Sequence, residues 1–260
     1  GMMERWWRTG EIYLQKPRLE DERNNLMHYF VNVFPEAVRL TDQRLHDAWT
    51  TMGYSSELLE WPEHFPLIQF GSWVGGDRDG HPFVTPEFTA STLQLHRQAD
   101  LNMIRTQLLD LAGKLSFSSY RISISESFLE DIQATAKLFG EAGQKALERN
   151  PSEPFRQYLN LLLVRLDHTI SDNHSYGDSG YFQSANELLD ELKKLRALLI
   201  DLGAARIAKK LLFPIERIIM CFGFHLAKLD IRQNSAYHEK AIGQIPVSYT
   251  HLRAHETEAD

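Results

Sequence analysis

The chain has 260 residues, 43% of them hydrophobic and 24% charged, a balance that suits an ordinary globular protein with a sizeable core. Its formal net charge of -7 argues against a nucleic-acid surface or a basic membrane anchor, and no apolar run reaches the roughly 18 residues of a membrane helix. The single cysteine, Cys221, excludes an intrachain disulfide framework and fits a reducing compartment, so a cytoplasmic location is expected.

The elements read mostly as helix. Leu19, Leu26, Tyr29, Phe30 and Val33 give residues 18–34 a helical stripe that Pro35 interrupts or kinks. A second helix is predicted from about Glu36 to Met52, with Gly53 placed to cap it. "LIQFGSW", residues 67–73, is too short and too closely flanked by prolines for a helix and reads as a buried strand. It runs into "GSWVGGDRDGHPFVT", where glycines surround an Asp-Arg-Asp triplet. Thr85 and Pro86 then start a long helix whose face is marked by Phe88, Thr92, Leu95, Ala99 and Met103. Ser123 with Glu126 offers a capping box ahead of a helix to about Arg149, and Pro154 opens another to about Asp172. After a polar loop, Ser184 and Glu187 form a second capping box on a helix that Gly203 closes. "FGFHLAKLDIRQ" alternates as a buried strand, with Ala227, Leu229 and Ile231 facing one way and Lys228, Asp230 and Arg232 the other. Two apolar strands cannot make a stable sheet, so many helices around two isolated strands suggest a slice of something larger.

Two clusters carry candidate chemistry. The Asp-Arg-Asp loop lacks the glycine and glutamate spacing of a calcium loop and the Gly-Lys-Ser/Thr ending of a phosphate-cradling loop. One reading is a strand-to-helix turn in which Arg78 pairs with its neighbouring carboxylates; the other is a rigid mount for Trp73 and Arg78 at the mouth of a site. The row Lys228, Asp230 and Arg232 reads either as an ion-pair ladder or as an anion-binding wall, with Arg232 suited to a two-point grip on phosphate or carboxylate. The scattered histidines show no metal-ligand spacing.

Taken together and in this order, "FGSWVGGDRDGHPFVT" and "HLAKLDIRQNSAYHEKA" resemble segments of bacterial-type phosphoenolpyruvate carboxylase. "WWRTGEI" with "KPRLEDERNNLMHYF" resembles the helical stretch upstream of that family's Ser-Trp-x-Gly-Gly-Asp-Arg-Asp-Gly motif, and the likeness covers Trp6 to about Ile245. His81 stands where many members have asparagine. The resemblance implies a mainly α fold: a helical slice of an α-helix-rich (β/α)8-like barrel enzyme, with two isolated barrel strands at about 67–73 and 225–231. The family joins bicarbonate to phosphoenolpyruvate with Mg2+ or Mn2+, giving oxaloacetate and phosphate. Phosphate transfer yields carboxyphosphate and an enolate, and the enolate captures the CO2 that is then released.

By that resemblance Arg232 is the catalytic arginine that helps hold the substrate phosphate, and Trp73 belongs to the apolar pocket for CO2. Trp73, Arg78 and Arg232 form the substrate-binding set, while Gly75, Gly76, Asp77, Asp79, Gly80 and Asp230 shape the site. The family's catalytic histidine motif would precede Trp6, and its metal-binding carboxylates would follow Ile245. No metal is therefore expected on residues of this chain, and the chain alone is expected to be inactive. The full-length enzyme is expected to be a homotetramer that binds neither nucleic acid nor membrane. Alternatives on the same scaffold are a catalytically silent helical interaction module and another phosphoenolpyruvate- or pyruvate-using barrel enzyme. Residues 1–246 are read as a partial carboxylase domain. "VSYTHLRAHET", Val247 to Thr257, matches one reading frame of a widely used transposase sequencing adapter, so 247–260 is read as foreign to the gene.

Overall fold

Helix dominates the computed structural model, which describes Met3 and residues 18–79, 83–171 and 180–244. The opening Trp-Trp segment, Gly80, His81, most of the predicted polar loop and the adapter-like segment lie outside the described residues. The chain divides into two compact units. One comprises the described residues of Gly1–His28, Ser72–Thr92 and Leu229–Asp260; the other comprises Tyr29–Gly71 and Leu93–Lys228. No helix of the described residues is long and apolar enough to cross a membrane.

The break predicted at Pro35 is present and takes a specific form. Helix α1 (Leu19–His28) is followed by a π-helical turn, Tyr29–Val33, and then by α2 (Phe34–Thr51). Pro35 has no N–H to donate and its ring crowds the carbonyl four residues back, so the ladder widens just ahead of it. The wider turn shifts the register. Tyr29 and Val33, expected on the buried stripe, are exposed, while Phe30 is buried and meets Phe34, Phe70 and His96. Gly53 ends α2 at φ +82, the left-handed conformation its place predicted.

The second unit carries the core. In α3 (Pro86–Lys114) the buried apolar row is Leu101, Ile104, Leu108 and Leu111. The predicted face is corrected here: of its five residues only Thr92 is fully buried, and the inward row of the helix's first half is Thr89, Thr92, His96 and Asp100. Polar side chains occupy that row, so apolar periodicity could not find it. The predicted helix from Glu126 to Arg149 is two helices, α4 (Glu126–Leu138) and α5 (Gly140–Glu148), parted where Gly140 turns to φ +55. A Cβ on Gly143 would lie 2.1 Å from the Ala136 carbonyl oxygen, so a glycine allows α4 and α5 to meet closely.

Helices α6 (Pro154–Ile170) and α7 (Ala185–Asp201) add Phe155, Leu159 and Leu166, and Leu188, Leu192, Leu195 and Leu199, to one cluster. Neither predicted capping box forms. Ser125, not Ser123, precedes α4, and Glu187 pairs with Arg165 at 2.7 Å instead of reaching back to Ser184. Gly203 (φ +75) closes α7 as expected. Two helices that the sequence reading did not name follow, α8 (Ala205–Leu211) and α9 (Phe213–Phe222).

The strands shrink to two residues each, β1 (Gly71–Ser72) and β2 (Lys228–Leu229). They are not isolated. The Lys228 amide donates to the Phe70 carbonyl at 2.9 Å and the Asp230 amide to Ser72 at 2.8 Å, so the pairing advances in the same sense along both strands. Just before β2, Leu226 takes φ +57, and its amide donates to the buried Asp100 carboxylate at 3.1 Å. Left-handed backbone at a leucine is costly, which ends the predicted strand on that side.

Burial pushes the Asp100 carboxyl up to about 7, against the opposing pull of the Leu226 amide. Because the folded value lies above the usual ~4, this group's contribution to stability is full below pH ~4 and is lost as pH rises through about 7. Glu216, with Arg196 at 3.1 Å, is also raised to about 7 because desolvation outweighs the ion pair. The melting midpoint is therefore expected to fall between pH 5.5 and 8, and to fall less in Asp100→Asn. Equal falls in parent and variant would show that Asp100 does not titrate in this window.

Candidate functional site

The candidate site is built within the first unit, from the end of β1 and the segment after β2. Buried Ser72 starts the turn by accepting the Val74 amide at 3.1 Å. The Trp73 carbonyl then receives both the Gly76 amide (2.9 Å) and the Asp77 amide (3.0 Å), closing a tight loop. Gly75 sits at φ +87, which disfavours any other residue. At Gly76 the constraint is proximity: a Cβ there would lie 2.3 Å from the Asp230 carbonyl oxygen.

That close approach lets the two segments bond again. Arg232 donates its amide to Gly76 O at 3.0 Å, Arg78 donates its amide to Arg232 O at 2.9 Å, and Asp77 and Arg232 form a parallel bridge. The outcome is a side-chain pair: the Arg232 guanidinium lies 5.5 Å from the centroid of the Trp73 ring. Trp73 is 55% exposed, so the indole is also open to a ligand. A cation beside an aromatic face offers an anion-binding group next to an apolar wall.

Trp73, Gly75, Gly76, Asp77, Arg78, Asp230 and Arg232 are thus brought together. Two expectations need correction. Arg78 donates from Nη2 to Thr89 Oγ1 at 3.2 Å, and among the described residues it forms no ion pair with Asp77 or Asp79; Asp77 Oδ1 instead accepts the Asp79 amide. Lys228, Asp230 and Arg232 form neither a ladder nor a buried wall. All three are exposed, and Lys228 donates to Gln69. Among the described residues the sheet has only two strands, so no third strand covers that face.

The sequence reading missed the support beneath the loop. Thr85 Oγ1 caps α3 by accepting the Phe88 amide, Thr89 donates to Gly75 O at 2.8 Å, and Thr92 packs under Gly75. Arg23 of α1 lies 4.6 Å over the Phe88 ring and donates to Ser91. The only signal was three threonines at helical spacing after a glycine turn. Gly76→Ala is expected to cost about 1–3 kcal/mol, because a backbone oxygen cannot yield as a side chain can. Gly113→Ala, where a Cβ meets nothing within 4 Å, is expected to be neutral or stabilising. Comparable melting midpoints for the two variants would contradict the packing argument.

The chain matches the family model described as "Phosphoenolpyruvate carboxylase" over residues 2–258. It is 32% identical over 243 residues to a phosphoenolpyruvate carboxylase of Methylorubrum extorquens, covering 91% of this chain and 25% of that relative. It is 33% identical over 258 residues to one from Synechococcus sp., covering 92% of this chain and 24% of the relative. A Prochlorococcus marinus phosphoenolpyruvate carboxylase is 34% identical over 260 residues, at 92% and 26% coverage. The chain therefore spans about a quarter of the length of the curated relatives it matches.

Proposed function

Because the chain belongs to the phosphoenolpyruvate carboxylase family, we propose that it supplies part of the active site of an enzyme joining bicarbonate to phosphoenolpyruvate, giving oxaloacetate and phosphate. The observation that carries this reading is the Arg232 guanidinium lying over the exposed Trp73 ring, where the two family-like motifs meet. Arg232 is assigned to the substrate phosphate, where its planar fork offsets charge during phosphate transfer. Trp73 is assigned to the wall of the CO2 pocket, keeping water from protonating the enolate. Arg78 is assigned to the substrate-binding set, and the glycines, Asp77, Asp79 and Asp230 to shaping the loop.

Parallel pairing of β1 and β2, with a helical crossover between them, supports placing them as adjacent strands of a (β/α)8-like barrel. Among the described residues no group of three or more His, Cys, Asp or Glu side chains could hold a metal ion. Mg2+ or Mn2+ is assigned to the full-length enzyme, and none of the roles above depends on it. A homotetramer in the cytoplasm is the assembly we assign to that enzyme. Val247 to Asp260 is read as foreign, which amplification of the genomic locus decides.

The test compares the full-length enzyme with the 260-residue chain, each supplied with phosphoenolpyruvate, bicarbonate and Mg2+. The full-length enzyme is expected to form oxaloacetate, and the chain alone to form none above a no-protein control. A full-length enzyme that forms no oxaloacetate would overturn the reading. Oxaloacetate made by the chain alone would overturn the division of labour.

A further inference from the structure

We propose that Thr89 is a positioning residue of this site: its buried hydroxyl locks the glycine turn onto α3 and fixes the Arg78 guanidinium. The proposal rests on the carboxylase reading for its kinetic consequence, and on geometry alone for the coupling between Thr89 and Arg78. Thr89 is 4% exposed and lies in the first turns of α3. A hydroxyl has one proton to give. Two carbonyls are within reach, Gly75 O at 2.8 Å and Thr85 O at 3.2 Å. Thr85 O already accepts the Thr89 backbone amide at 3.0 Å, so the proton goes to the nearer Gly75 O. That leaves a lone pair for Arg78 Nη2, at 3.2 Å.

Polarity makes the hydroxyl hard to replace. The carbonyl can only accept and the guanidinium can only donate, so the group between them must do both. Arg78 Nε is buried with no hydrogen-bond partner among the described residues, so Thr89 is the side-chain contact that fixes how the guanidinium is turned. The surroundings keep Thr89 in place. Thr92 Oγ1 would lie 2.6 Å from a Cβ on Gly75, and it back-bonds to Phe88 O at 2.8 Å. Arg23 holds the outer face of the same turn through Phe88 and Ser91. Since the Arg78 amide donates to Arg232 O, a displaced loop also moves the backbone that carries Arg232. A threonine satisfying its hydroxyl within the helix would need only the bond to Thr85 O, four residues back. The bond that leaves the helix points to positioning.

The test is a double-mutant cycle in the full-length enzyme with Thr89→Val, Arg78→Ala and the pair together, and Thr89→Ser as the conservative control. Thr89→Val is expected to lower kcat/KM for phosphoenolpyruvate about 10- to 100-fold, the scale of one lost hydrogen bond to a charged group. Thr89→Ser is expected to stay near the parent, and the double variant to be no worse than Arg78→Ala. If Thr89→Val does not fold, Thr89→Ala takes its place in the cycle. A Thr89→Val enzyme within twofold of the parent, or losses that simply multiply, would overturn the proposal. If the unmodified enzyme makes no oxaloacetate, the carboxylase reading fails by itself. Urea midpoints of the same proteins then decide the coupling: shifts smaller than additive support it, and additive shifts overturn it.

Discussion

Replacing Arg232 by alanine in the full-length enzyme is expected to lower kcat/KM for phosphoenolpyruvate by roughly 30- to 1,000-fold, about 2–4 kcal/mol of transition-state stabilisation. The size of the effect discriminates between readings. Arg232 is exposed in this structure, and its stacking on Trp73 would by itself be worth only about 0.5–1 kcal/mol. A loss of several kcal/mol therefore requires the guanidinium to meet an anion in a closed, dry site. Arg232→Lys keeps the charge but loses the planar two-point grip, so it is also expected to raise the requirement for phosphoenolpyruvate far more than for bicarbonate. Trp73→Ala is expected to differ in kind, impairing oxaloacetate formation more than phosphate release, if the proposed assignment of Trp73 to a water-excluding CO2 pocket holds. Measuring both products in parallel separates the two. Near-normal phosphoenolpyruvate kinetics in Arg232→Ala would return the residue to a structural role.

What the sequence made legible was whatever a single residue type must do locally. Gly53 and Gly203 end their helices at positive φ, and Thr85 with Pro86 starts α3, because no tertiary partner is needed for those roles. Trp73 and Arg232 were named only through two distant motifs read together, and their meeting was not foreseen; Gly76 explains it physically, since a side chain there would strike Asp230 O. Other features depend on partners that no local pattern encodes. The capping potential of Glu187 was overridden by Arg165, and the inward row of α3 is polar where periodicity looks for apolar residues. Residues 205–222 were assigned no element, although Leu212, Ile215, Ile219 and Phe222 are buried there and the Phe213-Pro214 step falls at the division into α8 and α9. The pairing of Asp42 with Arg217 across the sequence was likewise invisible, although its expected energetic effect is among the largest.

Asp42→Ala is expected to destabilise the second unit by about 3–5 kcal/mol. Arg217 is 2% exposed and grips Asp42 with both ends of its fork, Nε to Oδ2 at 2.7 Å and Nη2 to Oδ1 at 2.9 Å. Nη2 also donates to Pro66 O at 3.1 Å, and the Phe65 ring lies 5.6 Å away. Nη1 is buried with no partner among the described residues, so without Asp42 the guanidinium would keep only the hydrogen bond to Pro66 O there. Removing the carboxylate would leave a desolvated cation whose proton cannot be shed, since arginine stays charged throughout the accessible pH range. Removing both charges is a different matter: Asp42→Leu with Arg217→Met eliminates the desolvation cost along with the attraction, and is expected to lie close to the parent or above it. Urea midpoints of parent, single variant and double variant give the comparison. If Asp42→Ala falls within about 1 kcal/mol of the parent, as surface pairs do, water reaches Arg217 and the pair contributes little. If the double variant is as damaged as the single one, shape and not charge holds α2 to α9.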